Sequence, residues 1–151
     1  GPGHVLYLKS ELTENKWRIY SDNIAMARWL QQTVQGMLNA ELKDTSIPVI
    51  DADFSKAGDP RYYWTEYVSA ADAEISLTWH DIGDPLLIHT EPNQAPNPRP
   101  YGVCTVLVPA LSGRLTLNGQ QARGKPWPRD REGRPFSTSA LAFSESWTET
   151  R

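Results

Sequence analysis

The strictest pattern in the chain is Ile75-Ser76-Leu77-Thr78-Trp79-His80, where apolar and polar residues alternate without a break. A period of two is the mark of an extended strand with one face in a core. Ile75, Leu77 and Trp79 share the first face; Ser76, Thr78 and His80 share the second. Comparable short runs recur over 47–50, 62–69, 86–91, 101–108, 114–117, 120–123 and 139–147, bounded by Gly, Pro, Asn or Asp. Asn118-Gly119 between Leu117 and Gln120 is the strongest hairpin signal, because both centres of a type I′ turn need positive φ.

Before Pro48 the pattern differs. Residues 5–11 and 17–20 read as strands, and Ser21-Asp22-Asn23 offers side-chain oxygens to a helix N-terminus. Ile24, Ala27, Leu30, Val34, Met37, Leu38 and Leu42 then recur at three- and four-residue steps. This spacing predicts one amphipathic helix over about residues 23–43 with that stripe packed on the core. The fold class expected is therefore α+β, a strongly bent antiparallel β-sheet or partial β-barrel with one N-terminal helix.

A chain of 151 residues suits a single domain over 5–151. Gly1-Pro2-Gly3-His4 reads as a scar left by an expression vector, so His4 is kept out of the site arguments. A net charge of −3 gives no electrostatic reason to expect nucleic acid or an anionic membrane as partner. No run of about 18 apolar residues is present, so no membrane span is expected. The single cysteine, Cys104, allows no internal disulfide and fits a cytoplasmic setting. Lying in an apolar run, it is expected to be a buried, inert thiol. Gly-rich phosphate loops, G-x-S-x-G elbows and Cys-x-x-Cys pairs are missing, so no cofactor is expected.

The chemistry-bearing stretch is 61–91. A hairpin turning at Gly83-Asp84 with an even loop would set Thr78 opposite His89 and Ser76 opposite Glu91. His80, His89 and Glu91 would then share a face. Two imidazoles and a carboxylate suit acid-base work near neutral pH, or alternatively a mononuclear metal site. Glu66, embedded among Tyr62, Tyr63, Trp64 and Tyr67, would become a proton donor or base if partly buried. Glu145, between Phe143 and Trp147, is a weaker case of the same kind. Asp51 and Asp53 would be acids at a strand end. The basic segment 123–134 is read as a solvated loop, or as a lid whose Trp127 covers a pocket mouth.

The expected function is small-molecule binding in the concavity of the sheet or barrel. If enzymatic, it would be cofactor-independent chemistry of the cyclase, isomerase, hydratase or lyase kind. His80, His89, Glu66 and Glu91 are the candidate catalytic groups; Trp64, Tyr67, Thr78 and Trp127 are the candidate substrate contacts. The alternative is a non-enzymatic protein-binding or assembly module, with a homodimer among its forms. A second alternative is a metal held by His80, His89 and Glu91.

Overall fold

The computed structural model describes residues 2–148. The class is the one expected: α+β with strands dominating, a bent sheet and an N-terminal helix. Hydrogen-bonded strand order is β1-β2-β3-β4-β5-β7-β11, with β6 and β8 also paired to β7. The strands are β1 (Val5–Leu8), β2 (Arg18–Ser21), β3 (Val49–Asp59), β4 (Tyr63–Ala70), β5 (Glu74–Ile82), β6 (Leu86–Thr90), β7 (Tyr101–Leu117), β8 (Gln120–Gln121) and β11 (Ala140–Thr148). A separate pair is formed by β9 (Pro128–Arg131) and β10 (Arg134–Ser137). Residues group into two compact units. Among the described residues, one comprises 2–57, Thr65–Thr78 and Arg114–Gly124; the other comprises Gly58–Trp64, Trp79–Gly113 and 125–148.

In the first unit β1 is antiparallel to β2, whereas β2 is parallel to β3. Parallel neighbours cannot be joined by a tight turn, so the chain must cross over. The helical segment is that crossover. It begins as α1 (Ile24–Leu30), capped by Asn23, whose side chain accepts from the Met26 N–H at 3.0 Å. It runs through a π-helical turn, Gln31–Gln35, into α2 (Gly36–Leu38), and Asn39 then starts a 3₁₀ turn, Ala40–Lys43. Ile19, Ala27, Leu42 and Ile47 form a buried cluster, with Val5, Tyr7, Trp17 and Val49 packed against it. A second cluster gathers Leu8, Tyr20, Ala52, Val68, Ala73, Ile75 and Leu117. Each fully buried aliphatic side chain contributes about 1.5–3 kcal/mol, so these clusters hold the unit together.

The helical segment departs from the expected packing. Its buried positions are Ala27, Gln31, Gly36 and Leu42, so of the expected apolar stripe only Ala27 and Leu42 are buried. The π turn adds one residue per turn, which brings Gly36 onto the buried side, and Gln31 is held there by polar bonds. The Gln31 carboxamide donates to the Asp44 carbonyl at 2.7 Å and accepts from Arg28 at 2.8 Å. Much of the stripe is thereby turned outward: Met37 is 79% exposed and Leu38 77%, with Ile24 and Val34 also exposed, and Trp29, outside the stripe, is 60% exposed beside them.

Asn118 (φ 49°) and Gly119 (φ 81°) make the expected turn between β7 and β8. Asp51 and Asp53 lie within β3 rather than at a strand end, both exposed on the face opposite buried Ala52. His4, set aside in the sequence, is built into the fold. Its ring bonds Asp22 at 2.8 Å and stacks on Phe54 with centroids 5.3 Å apart.

In the second unit the expected hairpin at Gly83-Asp84 does not form. Leu86 to Thr90 pair with Leu107 to Val103 of β7, and the Gly83 N–H donates to the Pro109 carbonyl at 2.8 Å. The chain thus continues along the same edge of β7 instead of reversing. From Gly83 to Leu86 is three residues, while Pro109, which Gly83 bonds, and Leu107, which Leu86 opposes, are two apart, so the connection holds one residue more than the stretch of β7 beside it. Further along, Glu132 (φ 53°) and Gly133 (φ 79°) turn the β9–β10 hairpin inside the expected basic loop. No helix among the described residues is long and apolar enough to cross a membrane.

Candidate functional site

Strands β6, β7 and β11 lie side by side, and their registers fix which side chains share a face. His89 is opposite Cys104, which is opposite Glu145; Leu87 is opposite Val106, which is opposite Phe143. Trp147 is opposite Gly102. Directly opposed residues point the same way, so these form rows on one face. One row is apolar, the next carries an imidazole, a thiol and a carboxylate, and the third ends in an indole.

The centre of this face is His89. Its Nε2 is 2.6 Å from Glu91 Oε1, two residues on and therefore on the same side of the strand. Its ring is stacked on Trp147, with centroids 5.1 Å apart and planes 30° from parallel. The indole reaches that position because residue 102 has no side chain. A Cβ at Gly102 would collide with three carbons of the Trp147 ring. The imidazole is thus oriented twice, by a carboxylate at one nitrogen and by an aromatic surface against its plane. Both His89 and Glu91 remain open to solvent.

The other expected site residues fall elsewhere. His80 lies on β5 and His89 on β6, nine residues on, and each has its own carboxylate partner, Asp81 for the first and Glu91 for the second. The His80 imidazole lies instead 3.6 Å from Asp81, which also accepts from the Ser112 hydroxyl. A hydrolytic triad needs the histidine between serine and acid, whereas here the acid is in the middle. With His80 apart, the set His80, His89 and Glu91 is not assembled. No group of three or more His, Cys, Asp or Glu suited to a metal occurs among the described residues.

Glu66 is half buried, and the alternation of β4 puts it with Trp64 and on the opposite face from Tyr67. Tyr67 shares the face of Thr65, whose hydroxyl is 3.2 Å from that of Thr78. Ser76 and Thr116 are bonded likewise, so this polar face forms a hydroxyl ladder. Trp127 is 74% exposed at the base of the β9–β10 hairpin, where its backbone N–H donates to the Thr138 hydroxyl at 2.9 Å.

Two residues of the face escape sequence reasoning. Cys104 is half buried between His89 and Glu145, not sealed in a core as expected. Trp147 is read from the sequence only as a neighbour of Glu145. The signal for both is the pairing of 86–90 with 103–107, which an assumed hairpin hides.

No family model matches the chain, and no curated protein or solved structure matches it.

Proposed function

We propose that the chain binds a small, partly apolar organic molecule on the face formed by His89, Glu91 and Trp147, with His89 exchanging a proton with it. The observation carrying this reading is the double constraint on His89: the 2.6 Å bond to Glu91 and the stack on Trp147. A base whose far nitrogen is held by a carboxylate is the recurring arrangement for directed proton transfer. The row Leu87, Val106 and Phe143 supplies apolar contact, and Glu145 stands across Cys104 as a second proton-handling group. Proton transfer next to a carbonyl, as in isomerases and lyases, needs no cofactor and suits these groups.

The test is a fragment screen with partly apolar carbonyl and hydroxy compounds, followed by amide and indole NMR shifts. Binders should move the Gly102 and Cys104 amides and the Trp147 indole together. A true proton-transfer ligand should also exchange its α-proton with deuterated solvent, and His89→Gln should abolish that exchange. A screen that leaves all three signals in place sinks the reading.

A second reading, an assembly module, is favoured by the outward stripe on the helical segment. Residues 29–38 carry no charge, so two copies could meet across a two-fold axis without repulsion. Trp29, Val34, Met37 and Leu38 are all exposed there, apolar surface of the kind found at the core of an interface that buries ~800 Å² per partner. A second copy of this chain is the occupant that fits. Light scattering after gel filtration should show a dimer that dissociates on dilution and is lost in Leu38→Lys; a monomer at every concentration rejects it.

A further inference from the structure

The first unit contains an open surface pocket of about 580 Å³, large enough for a small organic ligand, beside the 3₁₀ turn Ala40–Lys43 and the buried cluster around Ile19 and Leu42. Its walls come from two segments, one running from Lys9 to Trp17 and the other from Ala40 to Pro48. Trp17 packs against the buried cluster around Ile19 and Leu42 and, with Ile47 and Pro48, gives the cavity an apolar lining. The ring is fixed in place. Its Nε1–H donates to Glu41 at 2.7 Å, and the same carboxylate accepts from the Lys9 ammonium at 2.9 Å. Lys9 and Glu41 therefore neutralise each other and hold the indole, leaving little charge to offer a ligand.

Two other charges in the lining are differently placed. Asp44 takes both its bonds from Ser46, at 2.9 and 2.7 Å, on Oδ1 alone, so Oδ2 keeps its acceptor capacity. Lys16 has only a loose partner, Glu14 at 3.9 Å, and both side chains of that pair are largely exposed. Asn15 beside it adds a carboxamide. An acceptor on one segment, a cation and an amide on the other, and apolar surface in the lining together suit a dipolar molecule. We infer that this cavity binds a zwitterionic amino acid or dipeptide with an apolar side chain. The ligand ammonium would sit on Asp44 and its carboxylate on Lys16 and Asn15. The inference is independent of the His89 face.

Calorimetry on the intact chain tests it, using L-phenylalanine, L-leucine and the dipeptide Phe-Phe, each also as its N-acetyl and C-amide derivative. At least one zwitterion should bind saturably with one-to-one stoichiometry. Removing either charge by capping should weaken it about tenfold or more, as loss of one charge-assisted hydrogen bond implies. Asp44→Asn should weaken ligands with a free ammonium and leave the N-acetyl forms unchanged; Lys16→Ala should do the reverse with the amides. His89→Gln should leave all of these affinities unaltered. Silence from all three zwitterions up to roughly 10 mM overturns the inference, since weaker binding is hardly specific. So does equal binding of capped and uncapped forms.

Discussion

Trp147 covers Gly102 so closely that the glycine's missing side chain is what allows the indole to stack on His89. This makes position 102 a test of the whole face. Gly102→Ala should push the indole off the sheet, costing about 1–3 kcal/mol as an overpacked contact. Denaturant unfolding reads the cost, and the near-ultraviolet circular dichroism of the tryptophan should change with it. A variant with unchanged stability and unchanged spectrum would mean that the stack does not exist in solution.

Gly36→Ala offers a case where two effects oppose each other. Alanine is favoured over glycine in a helix by about 1 kcal/mol. Here, however, a Cβ would lie 2.5 Å from the Gln31 carbonyl oxygen and 2.9 Å from Lys43 Cγ. The lysine side chain can move; the backbone oxygen cannot do so without disturbing the π turn. The variant should therefore lose about 1–3 kcal/mol net of its propensity gain, the cost of forcing extra volume into a packed site. A rise in melting temperature would show that the turn relaxes freely.

Tyr7 carries the reverse lesson. Its hydroxyl is buried and has no hydrogen-bond partner among the described residues, and burial pushes its phenol pKa upward. A buried polar group without a partner costs about 1–3 kcal/mol of desolvation, so removing it should not destabilise. Tyr7→Phe is expected to be neutral or to raise stability in urea unfolding. A clear loss would reveal a bonded partner for that oxygen.

Asp59 provides the acid-side prediction. The Arg61 guanidinium bonds both carboxylate oxygens, at 2.6 to 3.2 Å, and the Arg61 backbone N–H adds a bond at 3.0 Å. Together, the guanidinium first, they hold its pKa at about 2 instead of the ordinary 3.8. The folded state thus binds this proton less readily than the unfolded chain. Its stabilising effect is complete above 3.8 and is withdrawn as pH falls towards 2. Carbon NMR titration of the Asp59 carboxyl should give a midpoint near 2, moving back towards 3.8 in Arg61→Ala. A midpoint unaffected by that substitution would rule out the pairing in solution.

What could be read from residues alone followed local chemistry. The Asn118-Gly119 turn and the Asn23 cap are settled by their own backbone and side chains, and both are found where expected. The helical segment was legible as a helix because periodicity is local. Its orientation was not, because the packing surface is decided by Gln31 satisfying Asp44 and by a one-residue widening of the turn. Likewise, the polar face of β5 was legible, but its neighbours were not. A 17-residue β7 is long enough to pair β5 with one half and β6 with the other, and nothing within 75–91 records that length. Gly83-Asp84-Pro85 carries turn-forming residues that serve equally well to kink a continuing strand.

That kink acts as a phase setter. Side chains on a strand alternate between faces, so the single surplus residue between Ile82 and Leu86 decides which side Leu87, His89 and Glu91 occupy. Deleting one residue there would leave every atom of those three side chains intact while turning them to the far side of the sheet, away from Cys104 and Trp147. The chain's chemistry at His89 therefore depends on the parity of a three-residue connection as much as on the residues that perform it. Any length change at that point should be read as a change of site, even when the composition of the face is untouched.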